Sequence, residues 1–322
     1  MSAMPVDEAP QLLSLTDALW TARVLEATAA LGLLDQLSSS PKDTSELAQA
    51  CATDPTMTAL LLNTLADLGV VHRNGSAGYT AGLGGPALMM MAAHIPGRSK
   101  LADVVRSGKP LARADTAEGA SDFYPDLVGL LSVVFAPAAR RAAQLLADCG
   151  VEVLDVGAGA APWSIALATQ SPAVRVTALD LPAVIPTTRR AVEAADLGER
   201  FAYLPADMFT CALPPAAYDI VLLANICHLF DQERNCALLH RLRPTVRPGG
   251  LLAIIDVLTQ SDLATQRWIS LYALGLRLRT SQGTVHPLAA YKTWTSRAGF
   301  GPVQVEPLSA APSLCLLACR TK

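Results

Sequence analysis

From Gly150 onward, short apolar runs alternate with helix-forming stretches, and this alternation restricts the fold more than any other feature of the chain. Residues 151–156, 174–180, 201–206, 218–224 and 251–257 read as strands. Helices fall between them at 162–169, 183–195 and about 231–243. The strand runs are Val-, Ile- and Leu-rich without polar alternation, so both of their faces are buried. That pattern predicts an α/β domain in which helices cover a parallel sheet. After Gly299-Phe300-Gly301-Pro302, two extended stretches at 303–308 and 313–319 are expected to pair as a hairpin. Sheets of this kind bind ligands beyond the carboxyl ends of their strands, where the strand order reverses.

The first 110 residues have a different grammar. Residues 12–31 are apolar around most of a helical surface, more than one buried stripe requires, so a partner subunit is one candidate to cover a side. A second helix is opened by Asp43 or Thr44, with Glu46 placed for a capping box. Asp54-Pro55 caps a third, which runs to a glycine stop. Residues 70–73 and 78–80 flank Asn74-Gly75 and read as a hairpin. Three helices and a hairpin make a winged-helix pattern, which invites a nucleic-acid reading. The third helix, however, carries no Lys or Arg, and the chain up to Lys109 has 7 basic against 10 acidic residues. Phosphate contacts dominate nucleic-acid affinity, so this surface suits dimerisation and shielding of a substrate better. Gly82, Gly84, Gly85 and Pro86 then break the chain before a methionine-rich patch at 88–95, read as core or as the lining of a greasy pocket. Residues 122–147 are expected to form one or two helices, broken or kinked at Pro137.

Composition narrows the classes. Apolar residues make up 51% of 322 and charged residues 16%, enough for a large core. No uninterrupted apolar run reaches membrane-spanning length, and no basic-then-apolar leader is visible, so a cytoplasmic protein without a membrane partner is expected. Seven cysteines are scattered without a paired spacing, which argues for reduced thiols and against a disulfide framework or metal site. The net charge of -3 gives no electrostatic reason to expect nucleic acid.

The first strand ends in Leu154-Asp155-Val156-Gly157-Ala158-Gly159-Ala160-Ala161-Pro162. A dinucleotide fingerprint would place its third glycine at 162, where this chain has proline. Proline offers no N–H to a pyrophosphate. Strand two ends in Asp180, 23 residues after Gly157, where a carboxylate can take both ribose hydroxyls. A nucleoside without phosphates, such as S-adenosyl-L-methionine, fits both facts.

The loop at 154–159, the segment Leu179-Asp180-Leu181-Pro182-Ala183-Val184-Ile185 and the segment Ala206-Asp207-Met208-Phe209 together resemble the successive motifs of the S-adenosylmethionine-dependent small-molecule O-methyltransferases. These are the caffeic acid O-methyltransferase-like enzymes and their bacterial natural-product tailoring branch. The resemblance spans essentially the whole chain. It implies a Rossmann-like class I methyltransferase sheet behind a winged-helix dimerisation domain whose core is all-helical. The implied division is 1–110 for the dimerisation domain, 111–149 for linking helices and 150–322 for the catalytic domain. It also implies a homodimer, and a small aromatic or polyketide-like substrate. By the same resemblance, Asp180 binds the ribose, Asp207 and Met208 contact the adenine, and Gly157 and Gly159 let the backbone approach the methionine portion. Asp155, Leu181 and Asn225 complete the implied cofactor set. Two departures stand out: Ala161 replaces a third glycine, and Ala224 replaces a lysine of plant members.

Methylating a hydroxyl needs its oxygen partly deprotonated and aimed at the sulfonium methyl, and an imidazole suits that proton transfer. Strand four runs into Asn225-Ile226-Cys227-His228, which puts His228 at the carboxyl edge. His228-Leu229-Phe230 resembles the family's His-Asp-Trp with both followers replaced, so the resemblance makes His228 the general base. Strand five ends in Asp256, 28 residues later, at the offset of the family's catalytic glutamate. Asp256 is therefore expected to orient the imidazole. A second family acid is missing at 284–286, where Thr284-Val285-His286 stands. His286 is left as a substrate contact or a solvated loop residue. Transfer to carbon or nitrogen, and use of the cofactor without methyl transfer, stay open beside O-methylation. A metal-assisted variant on His228, Asp256 and His286 lacks a characteristic spacing.

Overall fold

The structure is a computed structural model that describes residues 9–37, 40–82, 100–125, 127–259, 263–309 and 314–321. By its internal contacts the chain divides into two compact units, Met1–Ser99 and Lys100–Lys322.

In the first unit, helices α1 (Ala9–Ala30), α2 (Thr44–Ala50) and α3 (Pro55–Asp67) precede a hairpin of β1 (Val71–Arg73) and β2 (Tyr79–Ala81). The capping box expected at α2 is present: Glu46 N–H donates to Asp43 Oδ1 at 2.9 Å and Asp43 N–H to Glu46 Oε2 at 2.8 Å. Asp54 Oδ1 accepts from Met57 N–H and Pro55 fills the first helical position of α3. Leu33, Leu47, Leu62 and Leu65 are fully buried in this unit's core. On α1, by contrast, Leu19 and Trp20 are 67% and 69% exposed, so its outward face is an uncovered apolar surface. The methionine-rich patch at 88–95 lies outside the described residues.

The second unit begins with α4 (Leu101–Ser107), α5 (Ala117–Phe123) and α6 (Val128–Leu146). Residues 111–149, read from sequence as linking helices, thus pack in the same unit as the sheet. Helix α6 runs through Pro137 instead of breaking there. Then follow β3 (Glu152–Val156), α7 (Pro162–Gln170), β4 (Arg175–Asp180), α8 (Ile185–Ala194), β5 (Phe201–Pro205), β6 (Tyr218–Ala224), α9 (Gln232–Leu242) and β7 (Val246–Val257). Helices α10 (Leu263–Arg279) and α11 (Leu288–Arg297) and strands β8 (Gln304–Ser309) and β9 (Leu314–Arg320) close the chain. The sequence pattern assigns no element between 258 and 298, although the apolar spacing Ile269, Tyr272, Ala273, Leu276 is a helical signal for α10.

The seven strands are ordered β5-β4-β3-β6-β7-β9-β8. The first five are parallel, and β9 and β8 add antiparallel neighbours at one edge. In β6, Ile220, Val221, Leu222 and Leu223 are all essentially inaccessible, each worth about 1.5–3 kcal/mol of burial. Strand β7 starts at Val246, earlier than expected, because a register shift absorbs the Pro-Gly-Gly segment before Leu251 pairs with Ile220. The order reverses between β3 and β6, whose carboxyl ends therefore bound a crevice. Among the described residues, no helix is long and apolar enough to cross a membrane.

Candidate active site

The loop from β3 into α7 is built on left-handed backbone. Gly157 has φ +70° and Gly159 φ +58°. A Cβ on Gly157 would stand 2.4 Å from Ile226 Cδ1, so the loop needs glycine there for space as well as for conformation. Ala161, where the resemblance implies a third glycine, also has positive φ, at +55°. A non-glycine residue there costs about 1 kcal/mol or more. Pro162 takes the first helical position of α7, so that helix start lacks one N–H.

Asp180 ends β4 beside this loop. Its Oδ2 accepts from Gly159 N–H and its Oδ1 from Leu181 N–H, both at 2.7 Å. Burial pushes the Asp180 carboxyl up to about 6, against the pull of those two amides. Gly157, Gly159, Asp180, Leu181, Asp207, Met208 and Asn225 all line one cavity at the carboxyl ends of β3, β4, β5 and β6. Seven of the eight expected cofactor residues are thus brought together.

Asp155 is the exception. It is buried behind the loop, does not line the cavity, and accepts a 2.5 Å hydrogen bond from Ser164 Oγ. Burial raises its carboxyl to about 7, with Ser164 lowering it and the Asp180 charge adding to the rise. Its observed contacts are those of a loop brace, because strand alternation turns its side chain away from the crevice that the following glycines form.

The end of the crevice at Asp207 and Met208 is shaped by residues the sequence did not single out. Phe209 N–H donates to Asp207 Oδ1 at 2.8 Å, and Arg241 Nε holds the Met208 carbonyl at 3.0 Å. The Arg234 guanidinium lies over the rings of Phe209 and Phe230, at 4.3 and 4.6 Å, and donates to the Asp115 carbonyl. Asn225 follows β6 in a left-handed conformation, φ +57°, and its Oδ1 is buried without a hydrogen-bond partner. An uncompensated buried acceptor beside a cavity is costly unless a ligand meets it.

His228 and Asp256 do meet. His228 Nδ1 is 2.6 Å from Asp256 Oδ1, and both side chains are buried. Three more donors converge on that carboxyl: His228 N–H on Oδ2 at 3.1 Å, Val257 N–H on Oδ1 at 2.9 Å, and the Tyr291 hydroxyl on Oδ2 at 3.0 Å. With Nδ1 donating to Asp256, Nε2 keeps its lone pair. Nε2 faces the Tyr272 hydroxyl at 3.2 Å. His228 is 2% exposed and does not line the cavity, although its neighbours Ile226 and Leu229 do. Its carbonyl accepts from Thr284 N–H at 2.9 Å. Tyr272 on α10 and Tyr291 on α11 belong to the stretch left unassigned by sequence and were missed for that reason.

His286 is not a solvated loop residue. It is 8% exposed, its Nε2 donates to the Phe230 carbonyl at 2.9 Å, and its ring stands edge-on to Trp294. Burial lowers its pKa, so it is neutral and occupied in holding the backbone after His228. Among the described residues no cluster suited to a metal ion is found.

Residues 132–301 match the family model described as an O-methyltransferase domain, and residues 13–83 match an O-methyltransferase dimerisation domain. The chain is similar to 3-hydroxy-5-methyl-1-naphthoate 3-O-methyltransferase of Streptomyces sahachiroi, 27% identical over 93% of this chain and 92% of the relative. A shorter likeness is to L-tyrosine C(3)-methyltransferase of Streptomyces lavendulae, 29% identical over 47% of this chain and 41% of that one. In fold it resembles human N-acetylserotonin methyltransferase solved in complex with S-adenosylmethionine, with a TM-score of 0.78 at 22% identity, covering 100% of this chain and 99% of that one.

Proposed function

The chain belongs to the O-methyltransferase family, and from that premise we propose that it methylates a phenolic or enolic hydroxyl of a small aromatic or polyketide-like metabolite, with His228 as general base. The observation that carries this reading is the bond from His228 Nδ1 to Asp256, which leaves Nε2 as a proton acceptor at the carboxyl edge of the sheet. The cofactor is S-adenosyl-L-methionine, which when bound supplies an electrophilic methyl group. The residues present suit it. Asp180, Asp207 and Met208 line one cavity, in which the Asp180 carboxylate would take the ribose hydroxyls and Asp207 and Met208 would meet the adenine. The Asn225 Oδ1 lacks a partner, and Pro162 withholds the N–H that a pyrophosphate would use.

His228 takes the proton of the acceptor hydroxyl at Nε2, and Asp256 fixes the tautomer and meets the charge that develops on the ring. Val257 N–H, His228 N–H and Tyr291 keep that carboxylate from turning. The acceptor's aromatic character is supported by the naphthoate enzyme's likeness over nearly the full chain. The exposed Leu19 and Trp20 fall inside the stretch matched by the dimerisation model, which supports a homodimer; light scattering at two times the monomer mass is expected.

The test incubates the protein with methyl-labelled S-adenosylmethionine and a panel of phenols and naphthols, following S-adenosylhomocysteine. Wild-type turnover that falls at least about 100-fold in His228→Ala is expected, the usual contribution of a positioned base. Transfer at near wild-type rate in that variant overturns the assignment. A second reading, methylation of ring carbon, is favoured by the missing acid at 284–286 and the likeness to the tyrosine C-methyltransferase. Product analysis separates the two, since an aryl methyl and a methyl ether differ in carbon chemical shift.

A further inference from the structure

The base as the structure holds it is covered. His228 Nε2 has one lone pair, in the ring plane, and the Tyr272 hydroxyl points at it from 3.2 Å. Burial pushes the Tyr272 phenol above its ordinary pKa, so it keeps its proton and donates. The Tyr272 ring stacks on Trp268, one helical turn earlier on α10, with centroids 5.0 Å apart and planes 12° apart. It also stands edge-on to the His228 ring. A lone pair that already accepts one hydroxyl cannot accept a second along the same direction, so Tyr272 and an acceptor hydroxyl are mutually exclusive partners of Nε2. Neither His228 nor Tyr272 lines the cofactor cavity, so a proton relay through Tyr272 would also need a rearrangement. Helix α10 buries Ile269 and Leu276 and packs Trp268, Tyr272 and Ala273 against the core, while Leu271 and Leu274 face solvent.

We propose that Tyr272 is a shutter and positioning residue on the base: its phenol holds Nε2 until the aromatic hydroxyl of the acceptor takes its place, with the acceptor ring replacing it on the Trp268 face. This deepens the reading of His228 as base and rests on it. The acceptor class follows from the displaced group, a planar aromatic carrying a hydroxyl at its edge.

The experiment reads the protein's own imidazole and involves no methyl transfer, so a silent turnover assay cannot be mistaken for its failure. Full-length protein is treated with diethyl pyrocarbonate, and each histidine is followed by peptide mass spectrometry. Wild-type His228 is expected to react at least about tenfold more slowly than exposed His72, as loss of the free lone pair to burial and a hydrogen bond requires. Tyr272→Ala is expected to bring His228 close to the His72 rate, and millimolar p-cresol, the phenol removed, to restore protection. Tyr272→Phe keeps the ring and removes the hydroxyl, so in 15N spectra of histidine-labelled protein the Nε2 resonance is expected to move toward the free-imine position. Four results overturn the proposal: wild-type His228 reacting as fast as His72, His228 staying equally protected in Tyr272→Ala, p-cresol failing to protect it there, and an Nε2 resonance unchanged in Tyr272→Phe.

Discussion

Asp256 holds His228 twice, by the ring nitrogen Nδ1 at 2.6 Å and by the backbone N–H at 3.1 Å, so one carboxylate sets both the position and the tautomer of the imidazole. Strands β6 and β7 are parallel neighbours with Ala224 opposite Ile255, which brings the residues just after them to one place although 28 positions separate them.

Asp256→Asn keeps the shape of the side chain and removes its charge. The amide so introduced can present its N–H to Nδ1 and stabilise the wrong tautomer, leaving Nε2 protonated. We expect kcat to fall by about 10²–10⁴-fold while cofactor affinity stays within about threefold. Single-turnover rates and calorimetric binding of S-adenosylhomocysteine check this; an unchanged kcat would remove Asp256 from the orienting role.

Cofactor binding is expected to weaken in acid through Asp180. Its carboxyl is raised to about 6, and ribose hydroxyls donate to the ionised form. Lowering pH through that value protonates the acceptor, so affinity for S-adenosylhomocysteine should fall by about tenfold between pH 7 and 5 and stay flat above pH 7. Titration calorimetry at pH 5, 6, 7 and 8 reads the slope, and Asp180→Asn should abolish it.

Asp155 makes stability depend on pH in the opposite sense from an ion-paired carboxylate. Its folded pKa of about 7 lies above the ordinary carboxyl value of 3.8. Burial favours the protonated form against the opposing pull of the Ser164 hydroxyl, so its contribution is complete below 3.8 and is lost as pH climbs to about 7. Asp155→Asn cannot ionise and should be the more stable protein at pH 8, by up to about 4 kcal/mol, with no advantage near pH 4. Urea melts at both pH values decide; a variant less stable at pH 8 contradicts the burial argument.

Gly283→Ala should injure catalysis without touching the cofactor. A Cβ there would stand 2.3 Å from Thr280 Oγ1 and 2.9 Å from the His228 carbonyl. The backbone carrying His228 must shift, and, if His228 is the proposed base, displacement near 1 Å costs about 100-fold in rate. S-adenosylhomocysteine binding should remain at the wild-type level, since Gly283 does not line the cofactor cavity. Equal losses in both would mean that the segment folds differently as a whole.

Local chemistry made much of this protein readable before any coordinates. Runs such as Ile220–Leu223 cannot be solvated, so a covered parallel sheet followed from them. Asp43 with Glu46, and Asp54 before Pro55, fix helix starts by bonds made within four residues. The glycine loop and Asp180 were legible because left-handed backbone and a strand-end carboxylate are properties of single positions. Tertiary structure decided the rest. Asp155 sits in the same motif as Gly157, yet only the packing of α7 shows that its partner is Ser164 and not a ligand. Tyr272, Tyr291 and the bond from His286 to the Phe230 carbonyl come from elements joined to His228 across 44, 63 and 58 residues of chain. A side chain's residue type states which hydrogen bonds it can make, while which of them it does make depends on what the folded chain brings within about 3 Å.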